Sequence, residues 1–162
     1  MYNFKINTYF LIIFFISSIS IISAYFVEYI LGYQPCRLCL IERIPYGLSI
    51  ILISLNYIFK REEKFIILLL VLIFGFSVIL SFYHFGIEEG FFDESSVCGF
   101  KNASEILSKD EILKQLQIKT VSCKDVTFRF FGFSLTTLNM ILSLILTVFL
   151  TKIFKNYEKF KK

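Results

Sequence analysis

Gln34-Pro35-Cys36-Arg37-Leu38-Cys39-Leu40-Ile41-Glu42-Arg43 carries two of the chain's four cysteines in a Cys-X-X-Cys spacing. Two intervening residues let the sulfurs approach to bonding distance, so the pair can close and reopen with little backbone movement. Arg43 follows Cys39 by four residues, which on a helix places both side chains on one face. A cation there, with the N-terminus of a helix beginning after Pro35, favours thiolate over thiol at Cys39. The chemistry this equipment suits is electron transfer by thiol–disulfide exchange.

Cys98 and Cys123 form a second pair, separated by 24 residues. A disulfide between them would constrain a long loop and contribute roughly 3 kcal/mol on the chain-entropy model. A purely structural role for this pair is one alternative. A single zinc site built from Cys36, Cys39, Cys98 and Cys123 is another. Structural four-cysteine sites usually carry two close-spaced pairs and this chain has one, so no metal is expected. His84 is the only histidine. It serves either as an interfacial side chain or as a proton donor beside an electron acceptor at the depth of Arg43, with Glu88 four residues on to orient it.

These residues need elements to position them, and the composition says of what kind. The chain has 162 residues, 56% hydrophobic and 19% charged, with a mean hydropathy of +0.71. A soluble protein of this size could not cover that much apolar surface, so lipid must supply part of the burial. Four apolar runs are long enough to span, at about 9–31, 42–59, 65–85 and 130–152. They predict an all-α, polytopic bundle of four transmembrane helices, a single integral membrane domain over 1–162. The first run could instead be a signal peptide cleaved after Ser23-Ala24, but its length and the three runs that follow favour a retained helix. Pro45 suits a helical first turn, and starting the second helix near Leu40 gives it adequate length.

The cations set the orientation. Lys5, the Lys60-Arg61-Glu62-Glu63-Lys64 turn and the lysines of the tail share one side of a four-span arrangement. The positive-inside rule makes that side, with both termini, cytoplasmic. Cations flanking apolar runs are topology signals, and nucleic acid is not an expected partner. Residues 87–128 hold Glu88, Glu89, Asp93, Glu94, Glu105, Asp110, Glu111 and Asp125 against five lysines. They face outward, as does the loop at about 32–41, so all four cysteines lie where disulfides persist. Within the larger outer loop, about 86–129, Ser108-Lys109-Asp110-Glu111 reads as a capping box, with Ile112, Leu113 and Leu116 on one helical face.

Pro35-Cys36-Arg37-Leu38-Cys39-Leu40-Ile41-Glu42-Arg43 resembles the first periplasmic loop of the bacterial DsbB disulfide-generating membrane proteins. The four spans, the second cysteine pair in the second outer loop and the Tyr83-His84 step extend the resemblance over nearly the whole chain. Tyr83-His84-Phe85-Gly86-Ile87-Glu88 and Phe131-Gly132-Phe133-Ser134-Leu135 look closer to a variant branch that includes proteins called DsbI. The second loop around Cys98 departs most from the family pattern.

The resemblance implies a relay in the bacterial inner membrane. A reduced periplasmic thioredoxin-fold protein, DsbA-like, attacks the Cys98–Cys123 disulfide at Cys98. Cys123 passes the electrons to Cys36. Cys39 is released beside a membrane quinone, ubiquinone or menaquinone, with Arg43 and His84 nearby. Attack and leaving-group rates both depend on thiol acidity, so the expected effect of Arg43 would serve both steps. A reductase of the vitamin K epoxide reductase type also uses four helices and a Cys-X-X-Cys, but its active pair lies on a later helix.

Overall fold

The computed structural model describes residues 2–59, 63–93, 122–124, 128–130 and 132–157. Four helices in it are long and apolar enough to cross a membrane: Ile6–Ile30, Arg37–Phe59, Glu63–Glu88 and Leu135–Lys155. In hydrocarbon every backbone N–H and C=O must find a partner within the chain, which makes helices the available local solution for such sequences. The chain is a polytopic four-helix membrane bundle.

Helix α1, Tyr2–Tyr25, continues into one π-helical turn, Phe26–Ile30. Gly32, with φ +75°, then turns the chain where a side chain would be strained. Cys36 caps the short helix α2, Arg37–Ile41, its Sγ accepting from the Cys39 N–H at 3.1 Å. After a two-residue turn the helix resumes as α3, Ile44–Phe59. Pro45 is its second residue, where a missing N–H costs little. Helix α4, Glu63–Glu88, runs far enough to keep both His84 and Glu88 on helical backbone.

Residues 129–134 contain a tight hairpin, β1 (Arg129–Phe130) against β2 (Phe133–Ser134), turned at Gly132 with φ +86°. The sequence reading had these residues opening the fourth apolar run. Ser134 ends the hairpin and caps α5, Leu135–Lys155, accepting from the Thr137 N–H. Cys98, the Ser108–Glu111 capping box with its apolar residues, Lys60 and Arg61, and the last tail lysines lie outside the described residues.

Helix α4 packs most extensively on α5, while α1 lies along α3 and α3 meets α4. Large apolar side chains fill the half of the bundle nearer the termini, with Phe10, Ile13, Ile53, Ile67, Leu70, Phe74 and Leu150 buried. Small hydroxyls sit where helices approach: Ser49 donates to Ser17 at 2.8 Å and Ser77 pairs with Ser143 at 3.0 Å. Such residues let backbones come close where lipid offers no hydrophobic drive to associate. The outward faces carry exposed stripes at helical spacing, including Leu48, Ile51, Leu55 and Ile58 on α3 and Leu72, Phe76 and Ile79 on α4. Acyl chains are the solvent that suits them.

Candidate functional site

Cys36 and Cys39 are joined by a disulfide, with Cα atoms 5.1 Å apart. The turn between Pro35 and the start of α2 achieves this locally, as a two-residue spacing allows. The two sulfurs have different surroundings. Cys36 is buried, in a cluster with Leu38, Ile87 and Cys123, whereas Cys39 is partly exposed at the cluster's edge. Cys123 is itself disulfide-bonded.

Helix α4 brings His84 to this pair. Its imidazole is 1% exposed and its Nε2 lies 3.5 Å from Cys36 Sγ. On the far side of the ring, Nδ1 is 2.9 Å from Glu42 Oε1 and 3.3 Å from Thr136 Oγ1. Thr136 donates its own hydroxyl hydrogen to Glu88 Oε1 at 2.6 Å. Both neighbours of Nδ1 therefore accept, which assigns a proton to Nδ1; in the neutral ring, Nε2 then turns its lone pair toward Cys36. The sequence reading had Glu88 orienting the ring. Glu88 Oε1 is 3.9 Å from Nε2, and the carboxylate that holds the ring is Glu42, 42 positions away in the chain. Glu88 instead ties α4 to α5, accepting from Ser134 at 2.6 Å as well as from Thr136.

Glu42 joins His84 to a longer chain of hydrogen bonds. Its Oε2 accepts from Asn139 Nδ2 at 3.0 Å, and the same amide donates to Ser81 at 2.7 Å. Tyr46 donates to Asn139 Oδ1 at 2.6 Å and lies 3.1 Å from Ser143. A buried carboxylate is tolerable only with such partners. Glu42 lies within the cysteine motif, where spacing alone assigns it no role. An acid at the edge of an apolar span is by default a functional candidate, and that signal would have found it.

Arg43 and Cys39 line the same cavity, but Arg43 makes its ion pair and its ring contact with the first helix. Its Nη1 donates to Glu28 Oε2 at 2.5 Å, and its guanidinium sits 5.0 Å from the ring centre of Tyr25. Glu28 belongs to the π-helical turn, a device that re-aims side chains and is frequent at functional sites. The expectation of a cation beside Cys39 thus acquires a counter-charge that spacing did not reveal.

The cavity has a volume of about 330 Å³. Its walls come from α1 and its π-helical turn (Ile19, Ser23, Val27), from the cysteine turn (Cys36, Cys39, Glu42, Arg43) and from α5 (Leu138, Asn139, Leu142), and it reaches Cys123 and Phe128. Mostly apolar walls with a few convergent polar groups are the usual makeup of a small-molecule site. Among the described residues, Cys36, Cys39 and His84 bring two sulfurs and a ring nitrogen within 4.8 Å of one another.

Known proteins place this arrangement. The family model described as "Disulfide bond formation protein DsbB" matches residues 6–153. Uncharacterized protein RP370 of Rickettsia prowazekii (strain Madrid E) is 35% identical over 138 residues, covering 83% of this chain and 80% of the relative. No solved structure matches. With the family model spanning all four helices and the Cys36–Cys39 turn, the chain belongs to the DsbB family of disulfide bond formation proteins.

Proposed function

We propose that this membrane protein reoxidises a periplasmic, DsbA-like thioredoxin-fold dithiol protein and delivers the electrons to a membrane quinone. Family membership supports disulfide formation as the activity. The observation that carries the finer reading is the cavity shared by Cys39, Arg43 and Cys123. In this reading the cysteine end faces the periplasm and both termini face the cytoplasm, as the cation distribution predicts.

Family membership supports a relay between the two cysteine pairs. The partner's thiolate attacks Cys98, forming a mixed disulfide and releasing Cys123 as a thiolate. Cys123 attacks Cys36, its neighbour in the buried cluster. The Cys36–Cys39 bond breaks, a Cys36–Cys123 bond forms, and Cys39 leaves as a thiolate on the cavity side. The partner's second cysteine then displaces Cys98, completing the partner's disulfide. Cys98 attacks Cys123, restoring the second pair and freeing Cys36. Two electrons now reside on the Cys36/Cys39 dithiol.

Side chains around the pair handle the charge and protons of these steps. His84 Nε2, held by the Glu42 bond at Nδ1, is placed to take a proton from Cys36 and return it. Arg43, shared between Glu28 and the cavity, supplies positive charge where the Cys39 thiolate appears. The apolar walls from α1 and α5, with Arg43 and Asn139 as polar contacts, fit a quinone ring. A quinone bound there supplies an acceptor for two electrons and two protons.

The test is turnover by the purified full chain in detergent, with a reduced thioredoxin-fold dithiol oxidase and a soluble quinone, followed by loss of quinone absorbance. Wild type turns over, and Cys36→Ser and Cys39→Ser do not. Quinone-coupled turnover that survives either substitution overturns the proposal.

A further inference from the structure

Cys36 Sγ, Cys39 Sγ and a ring nitrogen of His84 all lie within 4.8 Å of one another. In the disulfide form the sulfurs bond each other, and neither is available as a thiolate ligand. Reduction changes that. Two electrons and two protons convert the disulfide to two thiols beside an imidazole nitrogen. If a divalent cation displaces both protons, the donor set becomes two thiolates and a neutral imidazole, which suits zinc and its heavier relatives.

One edge of the site already has the spacing such an ion requires, and opening the disulfide lets the second sulfur move out to its own ligand position. With Zn–S near 2.3 Å and Zn–N near 2.0–2.1 Å, adjacent sulfur and nitrogen ligands of a tetrahedral ion stand about 3.5 Å apart. Cys36 Sγ and His84 Nε2 are 3.5 Å apart. Zinc-bound histidines commonly donate their other N–H to a carboxylate, which fixes the tautomer and the ring plane. Glu42 Oε1 does this at Nδ1, 2.9 Å away. Cys36 and His84 are buried, while Cys39 borders the cavity and gives an ion its way in.

We propose that the dithiol form of this protein binds a thiophilic divalent cation of the zinc class through Cys36, Cys39 and His84. The fourth position opens to the cavity, and the site takes metal in one redox state only. The four-cysteine zinc site weighed from the sequence is replaced here by a cysteine pair and a histidine. The proposal needs neither the quinone nor the partner protein, only a Cys36–Cys39 bond that can be reduced.

The test uses the full chain carrying Cys98→Ser and Cys123→Ser, so that the first pair supplies the only thiols. It is purified in detergent and reduced anaerobically with a water-soluble phosphine, which takes oxygen from water as the disulfide opens. After desalting it is titrated with Cd²⁺ while cadmium–thiolate ultraviolet absorption is followed. The reduced chain saturates at one Cd²⁺ per molecule, and the oxidised chain shows no such band. His84→Ala lowers the affinity by about tenfold or more, and Glu42→Gln by a smaller factor. Cadmium NMR of the chain with His84 intact reports nitrogen beside two sulfurs, so the outcome does not depend on a substituted chain folding. Equal uptake by the oxidised chain, a sulfur-only NMR signature, or unchanged affinity in a folded His84→Ala chain overturns the proposal.

Discussion

The two ends of the bundle solve burial in opposite ways. Toward the termini, Phe10, Ile53, Leu70, Phe74 and Leu150 interlock with almost no polar company. Asn56 on α3 is also buried, and its Oδ1 has no hydrogen-bond partner among the described residues. At the cysteine end, Glu42, Ser81, His84, Glu88, Ser134, Thr136 and Asn139 are all joined by hydrogen bonds linking the turn after α2 to α4 and α5. Titratable groups inside a membrane protein are expensive and persist where chemistry uses them. The first end holds the helices together, and the second holds a disulfide in a chosen environment.

Substitutions at the two ends should separate function from stability. The largest effect on activity is expected from Glu42→Ala. It removes the acceptor for both His84 Nδ1 and Asn139 Nδ2, and quinone-coupled turnover should fall by about 100-fold or more, as for loss of a positioned base. The same variant loses about 3 kcal/mol of stability, because two buried donors lose a charged acceptor. Steady-state kinetics and unfolding in dodecyl sulfate, measured on one preparation, read both losses. Unchanged turnover in a folded Glu42→Ala chain would sink the proposed role of the His84–Glu42 pair.

Phe74→Ala tests the other end. It empties a fully buried ring site and should cost about 3 kcal/mol in the same unfolding assay. Turnover per folded molecule should match wild type. A loss of activity larger than the loss of folded protein would show that the two ends are coupled.

A smaller effect is expected at the cavity wall. Glu28→Gln removes the negative partner of Arg43 and leaves more of its positive charge for Cys39. In a Cys36→Ser background, alkylation of Cys39 should then run about threefold faster, the scale of a partly exposed ion pair. No change would mean that Arg43 serves the first helix and not the thiolate. The smallest effect belongs to Asn56→Leu, which removes an unpartnered buried carbonyl oxygen and should raise stability by up to about 1 kcal/mol. A drop instead would reveal a partner for Asn56 beyond the described residues.

Much of the bundle was legible because its causes are local. Span number follows from the length of the apolar runs, and helix formation follows from the cost of bare backbone in lipid. Pro45 suits the first turn of the second helix, and the disulfide partner of Cys39 is three residues away. The hairpin at 129–134 was harder to see, since Phe130 and Phe133 are as apolar as the helix that follows. Gly132 was its one local mark, adopting a φ that favours glycine.

The sequence by itself determined four membrane helices, the Cys36–Cys39 pair and the family to which they point. Only the tertiary structure decided that His84 meets Cys36, that Glu42 and not Glu88 holds the ring, and that Arg43 pairs with Glu28. The physical reason is that a helix's own hydrogen bonds form within four residues, whereas its rotation against a neighbour is set by side chains far apart in sequence. Here the close approaches at Ser17–Ser49 and Ser77–Ser143 help fix that rotation, and with it which polar groups face one another across the bundle.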